Sequence, residues 1–125
     1  MKNNILVIDD STSVRQRVGE TLRNAGFRVD EATNGLQGKK AIEASPYACV
    51  ICDVNMPLMN GIEMLEALEE SESKQKLPIV MLTTEGSRVL IQKAKQAGAS
   101  GWIVKPFNPE LLVAAVRKLT ALSVV

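Results

Sequence analysis

Four short apolar runs in this sequence each end in side chains able to do chemistry. Ile5-Leu6-Val7-Ile8 leads into Asp9-Asp10, and Cys49-Val50-Ile51-Cys52 leads into Asp53. Ile79-Val80-Met81-Leu82 leads into Thr83-Thr84-Glu85, and Gly101-Trp102-Ile103-Val104 leads into Lys105-Pro106. A lone Asp after a strand is usually the cap of the next helix; four such ends carrying polar or ionisable groups are harder to dismiss. Brought together, three carboxylates repel one another and push one pKa upward. A hard divalent cation relieves this, because Mg²⁺ takes carboxylate oxygens, keeps several waters and accepts phosphate oxygens. A carboxylate, Mg²⁺, a hydroxyl and a lysine around one point make a phosphoryl-transfer site, where cations and donors offset charge on the equatorial oxygens. The carboxylate itself can be the nucleophile.

The elements needed to position these groups are visible in the periodicity. The four runs and Arg28-Val29-Asp30-Glu31 read as strands. Three of the runs are almost continuously apolar, as expected of strands covered on both faces. Between them lie helical stripes: Val14, Val18, Leu22 and Ala25; Met64, Leu65 and Leu68; Leu90, Ala94 and Ala97; Leu112, Ala115, Val116 and Leu119. Ser11 is placed to cap the first helix and Gly26 to end it; Asn34-Gly35 opens the second, and Asn108-Pro109 is a cap followed by a first-turn proline. The second helix is the weak element, with Gly38 and Lys39 where the stripe wants apolar residues. Either Lys39 snorkels past the core or this helix docks loosely. Ser71 to Pro78 reads as a polar loop. Alternating strands and helices predict an α/β fold, a doubly wound five-stranded parallel sheet with five helices and right-handed crossovers. Such sheets hold their chemistry beyond the carboxyl ends of the strands.

Composition excludes several classes. The 125 residues contain no histidine, which removes His-ligated metals, a His general base and a Ser-His-Asp triad. A net charge of +1 is not that of a chain basic all over. Residues 53–85 carry two basic and seven acidic side chains, residues 86–125 six basic and one acidic. The basic last third suits an acidic protein partner, or is a set of solvated helix faces. No signal peptide and no membrane-length apolar run is visible, so the expected compartment is the cytoplasm. Cys49 and Cys52 have C-x-x-C spacing, but residues three apart in a strand face opposite ways, so two buried reduced thiols are expected.

The segments Ile5–Ser11, Asp53–Gly61, Met81–Thr84 and Ala97–Phe107 together resemble those of response-regulator receiver domains, and the resemblance spans the whole chain. It implies one receiver domain over 1–125, flavodoxin-like strand order 2-1-3-4-5, and two-component signal transduction, in chemotaxis or another phosphorelay. Asp53 resembles the phosphoryl acceptor. Asp9 and Asp10 resemble the acidic pair that holds Mg²⁺ (Mn²⁺ can substitute), Asp10 directly and Asp9 through water, with Asp53 and the Asn55 backbone carbonyl completing the metal site. Thr83 and Lys105 resemble the hydroxyl and the cation that engage the phosphoryl oxygens. Lys105-Pro106 resembles a bond that is cis in the family. Trp102 takes the aromatic switch position, and its ring is expected to turn into space that Thr83 vacates. Asn55 and Glu85 stand where the family sets the dephosphorylation rate. Val54 and Thr84 depart from the tryptophan and alanine common at those positions.

The implied protein is a phosphoacceptor that assists its own phosphorylation and dephosphorylation, rather than an enzyme. Its implied partners are a histidine kinase of the chemotaxis, CheA-like type, a downstream target such as the flagellar motor switch, and a phosphatase. Neither nucleic acid nor membrane is among them, and a monomer is expected. With nothing after Val125, output is expected in trans. Helical geometry places Val89 and Ile91 off the buried stripe of the fourth helix, so these two with Arg88 and Lys95 form the expected docking face.

Three other readings compete. A phosphatase of the haloacid-dehalogenase type places its nucleophile after the first strand and an acid–base Asp two residues on; here the acceptor follows the third strand and that partner is Asn55. In a flavodoxin-like flavin carrier, Asp9-Asp10 would repel the cofactor phosphate. An interaction module keeping only the fold would not need the full set of chemical residues.

Overall fold

Every apolar run forms a strand and every helical stripe a helix. In chain order these are β1 (Asn4–Ile8), α1 (Thr12–Asn24), β2 (Arg28–Ala32), α2 (Gly35–Ala44), β3 (Cys49–Cys52), α3 (Gly61–Glu70), β4 (Ile79–Thr83), α4 (Arg88–Gln96), β5 (Gly101–Val104) and α5 (Pro109–Leu122). The structure, a computed structural model, describes residues 3–56, 58–70, 77–84 and 88–122. Most of the expected polar loop at 71–78 and all of Glu85 therefore lie outside the described residues.

The strands pair in parallel in the order β2-β1-β3-β4-β5. The three continuously apolar runs are the three central strands, the ones that must be dry on both faces. Alternation sorts their side chains: Ile5, Val7, Cys49, Ile51, Val80 and Leu82 pack with Val18 and Leu22 of α1 and Leu112 and Val116 of α5. Leu6, Ile8, Val50, Cys52, Ile79 and Met81 pack with Met64 and Leu65 of α3, Ala94 of α4, and the half-buried Ala41 and Ile42 of α2. Cys49 and Cys52 consequently belong to opposite cores, and both are free thiols. Burial pushes the Cys49 thiol up to about 12 and raises Cys52 as well.

The caps fall where expected. Ser11 Oγ accepts from Val14 N (3.3 Å), Asn34 Oδ1 from Gln37 N (2.9 Å), and Asn108 Oδ1 from Glu110 N (2.9 Å). A reciprocal cap not anticipated from the sequence opens α3, where Asn60 N donates to Glu63 Oε1 (2.9 Å) and Glu63 N to Asn60 Oδ1 (2.8 Å).

Of the two readings of helix α2, the structure sets aside loose docking. Gly38 is buried, and a Cβ there would collide with the Ile8 side chain. The missing side chain is what lets the helix lie close on β1. Lys39 is half-buried and keeps its head at the surface, as snorkelling requires; its Nζ pairs with Glu43 Oε2 one turn on, at 2.8 Å. No helix among the described residues is long and apolar enough to cross a membrane.

Candidate functional site

Strand order places β1 and β3 side by side at the point where the chain reverses direction across the sheet, the crevice where doubly wound sheets bind ligands. The register does the rest. Ile8 is level with Cys52, so the next residues, Asp9 and Asp53, leave the sheet together, and Asp53 N still donates to Ile8 O (2.9 Å). On the other side Thr83 is level with Val104, and Lys105 N donates to Thr83 O (2.7 Å). Four strand ends far apart in sequence are thereby fixed on one edge. Gly61, at the start of α3, closes it from behind, since a Cβ at that position would strike the Asp53 carbonyl.

Carboxylate oxygens of Asp9, Asp10 and Asp53 lie within 4.8 Å of one another. Asp9 and Asp53 are buried, whereas Asp10 is exposed at the mouth. The Lys105 ammonium spans the two buried acids, 2.8 Å from Asp9 Oδ2 and 3.4 Å from Asp53 Oδ2. Asp9 also accepts from Ser11 N at Oδ1 (2.9 Å), and its main-chain oxygen accepts from Arg15 Nη1 (2.6 Å).

These surroundings set the ionisation. Burial, followed by the negative charge of Asp9, holds the Asp53 carboxyl above its ordinary value; Lys105 and the Asn55 backbone N–H pull the other way without cancelling the rise. Burial by itself would lower Lys105, but its hydrogen bond to Asp9 and the charges of Asp53 and Asp9 leave it raised and firmly cationic. One ammonium thus faces three carboxylates, and the deficit of positive charge is what a hard cation would supply. An all-oxygen set with one open, solvated side fits Mg²⁺.

The remaining expected residues fall as follows. Thr83 is fully buried and lies on the α4 side of β4, opposite the side of the sheet from which Lys105 projects. The Lys105-Pro106 peptide is cis. Asn55 is exposed beside the cluster, and Val54 is buried in the core. Trp102 is level with Met81 and packs half-buried on the same core. Its indole N–H is fully buried, with no acceptor among the described residues. The ring therefore lies partly inside already, before any movement of Thr83. On α4, Arg88, Val89 and Lys95 are exposed and Ile91 is half-exposed, Val89 at 64% of its surface. Val104 on β5 and Leu111 on α5 are also exposed. Arg15 escaped notice in the sequence, although it stands in the first turn of the helix that Asp9-Asp10 leads into.

Comparison with known proteins agrees with this geometry. Residues 5–117 match the response regulator receiver domain family model. The chain is 36% identical over 116 residues to a probable chemotaxis protein CheY of Rhizobium etli, covering 92% of this chain and 90% of that one. It is 37% identical to chemotaxis protein CheY-3 of Vibrio cholerae, over 92% and 89% of the two chains. The solved structure of Vibrio cholerae chemotaxis protein CheY4 superposes with a TM-score of 0.88 at 39% identity, covering 95% of this chain and 99% of that one. The protein belongs to the response regulator receiver domains. It is accordingly a response regulator of two-component signal transduction.

Proposed function

We propose that Asp53 accepts a phosphoryl group from a phosphohistidine of a histidine kinase, and that the change is read by a chemotaxis target protein. The observation that carries this is the convergence of Asp9, Asp10, Asp53 and Lys105 at one sheet edge, with Asp53 the buried acid facing both the lysine and the open side. The chemotaxis assignment rests on relatives that carry that name over nine-tenths of this chain.

In the step proposed, an Asp53 carboxylate oxygen forms a bond to phosphorus while the phosphorus–nitrogen bond of the donor breaks, and the imidazole leaves with the electron pair and takes up a proton. Asp10, Asp53 and the Asn55 carbonyl would hold Mg²⁺ directly, and Asp9, already engaged by Lys105 and Ser11, through water. When bound, the cation offsets charge on the transferring oxygens. Lys105 moves from a pairing with Asp9 toward the new phosphoryl oxygens, and the Thr83 hydroxyl turns to them from the other face. The protein is a phosphoacceptor whose own residues assist transfer, not an enzyme acting on a separate substrate. The surface of α4, β5 and α5 shifts between two populations, which the partner distinguishes.

Acetyl phosphate with MgCl₂ tests the chemistry directly. Intact-mass and peptide analysis should find one phosphoryl group, on Asp53, lost in Asp53→Ala and sharply reduced by chelation or in Asp10→Ala. Label on Asp9 or Asp10, or undiminished label in Asp53→Ala, would overturn the assignment.

A further inference from the structure

Among the described residues, Arg15 is the one cation besides Lys105 that reaches the acidic corner, and it does so through the main chain. All three of its guanidinium nitrogens are engaged. Nη1 donates to the Asp9 carbonyl (2.6 Å), Nε to Glu31 Oε1 (3.2 Å) and Nη2 to Thr12 Oγ1 (3.2 Å). Its side chain is only 12% exposed, unusual for a surface-helix arginine.

The Asp9 carbonyl belongs to the peptide unit that joins Asp9 to Asp10. That unit is planar, so holding its oxygen restrains the backbone torsions on either side of it, on which the directions of both carboxylates depend. The hold is braced from two elements: Thr12 in the first turn of α1 and Glu31 on edge strand β2. Asp9 N donates to Ala32 O (3.1 Å), which ties the same corner to β2 a second time. A guanidinium suits this task better than an ammonium, because its planar fork meets three acceptors in fixed directions.

We propose that Arg15 is a positioning residue for cation binding: it orients the Asp9–Asp10 peptide, and Glu31 acts on the site through it. This rests on the reading of the acidic cluster as an Mg²⁺ site.

The test is calorimetric titration of MgCl₂ into the full chain, alongside acetyl phosphate labelling as a function of MgCl₂. Arg15→Met should weaken Mg²⁺ binding about tenfold, the low end of what losing a ligand's supporting partner costs. Arg15→Lys should recover part of the loss, since one donor remains. Glu31→Gln should shift affinity less, in the same direction, and it carries the test with Arg15→Lys if Arg15→Met does not fold. The Mg²⁺ concentration for half-maximal labelling should move with these affinities, while the rate at saturating Mg²⁺ stays near that of the unaltered protein. A merely structural role would instead lower the labelled fraction without moving the Mg²⁺ constant. Unchanged Mg²⁺ affinity in the variants, with the unaltered protein binding normally, overturns this proposal alone. Failure of the unaltered protein to bind Mg²⁺ overturns the metal-site reading and this proposal together.

Discussion

Lys105 Nζ stands 2.8 Å from Asp9 Oδ2, closer than the 3.4 Å that separates it from Asp53 Oδ2. The lysine rests on the acid that is not the proposed acceptor, so it keeps Asp9 quiet while leaving Asp53 less fully neutralised. Removing it should expose the repulsion. Lys105→Met should lose about 1–3 kcal/mol of stability or more, since it leaves buried acceptors unsatisfied and those acceptors are charged, and label slowly. Saturating MgCl₂ should return part of that stability, because a bound cation stabilises by mass action and replaces the lost positive charge. Urea denaturation of both proteins with and without Mg²⁺ checks this, and no stabilisation of either by Mg²⁺ would mean that no cation occupies the cluster.

Asp53 gives a pH prediction whose sign can be worked out. Burial and Asp9 raise its folded-state pKa above the ordinary 3.8. The unfolded chain then releases its proton first, so the carboxyl destabilises the fold increasingly as pH rises from 3.8 through the folded value. Asp53→Asn should be more stable at pH 7.5, with a gain that shrinks as the pH is lowered toward 4. Thermal melting at both pH values reads this, each kcal/mol being worth about 3–6 °C in a domain of this size. A variant no more stable at pH 7.5, or a gain that grows on acidification, would show that Lys105 fully compensates the acceptor.

Two buried glycines should respond differently to an added methyl. At Gly61 the obstacle is the Asp53 backbone carbonyl, which cannot move without distorting the site. At Gly38 it is the Ile8 side chain, chiefly its Cδ1 end, which can rotate. Gly61→Ala should cost about 1–3 kcal/mol, as overpacking does, and should impair labelling. Gly38→Ala should cost less, helped by about 1 kcal/mol of helix propensity, and should label normally. Denaturation midpoints and labelling rates compare the two; equal penalties would contradict the distinction between backbone and side-chain obstacles.

Trp102 is the only tryptophan, and Val54 places no second indole beside Asp53. A buried indole N–H with no acceptor among the described residues costs about 1–3 kcal/mol, which makes its resting position easy to disturb. Beryllofluoride with Mg²⁺ should shift its emission, and Asp53→Ala should abolish the response. A red shift reports the N–H reaching solvent, a blue shift the ring moving deeper. No change despite confirmed beryllofluoride binding would mean that the ring is fixed packing.

The face bearing Val89, Ile91, Arg88 and Lys95 is apolar and basic, and suits an acidic, partly apolar helix or peptide. Val89→Glu and Lys95→Glu should each weaken capture of the target by the phosphorylated protein several-fold without altering Asp53 labelling. Unaltered capture, measured by titration with the purified target, would place the docking face elsewhere.

The sequence alone determined the elements, because hydrophobic period and caps are local. The runs at β1, β3 and β4 had to be central strands, Ser11, Asn34 and Asn108 had to open helices, and the two cysteines three apart could not meet. It also placed each chemical group at a strand end, which in a parallel sheet means the same edge. The two readings it left open for α2 show the limit: Gly38 looks like a defect in a stripe until Ile8, thirty residues earlier, is seen filling the space it leaves. Only the tertiary structure decided that Lys105 leans on Asp9, that Arg15 reaches back from α1 to the Asp9 carbonyl while braced on Glu31 of β2, and that the Trp102 N–H is buried with no acceptor among the described residues. The lysine joins groups 96 residues apart, and the arginine, though only six residues from Asp9, is oriented by Glu31 on another element. No periodicity encodes these relations, since they arise when register and close packing bring particular atoms within hydrogen-bonding range.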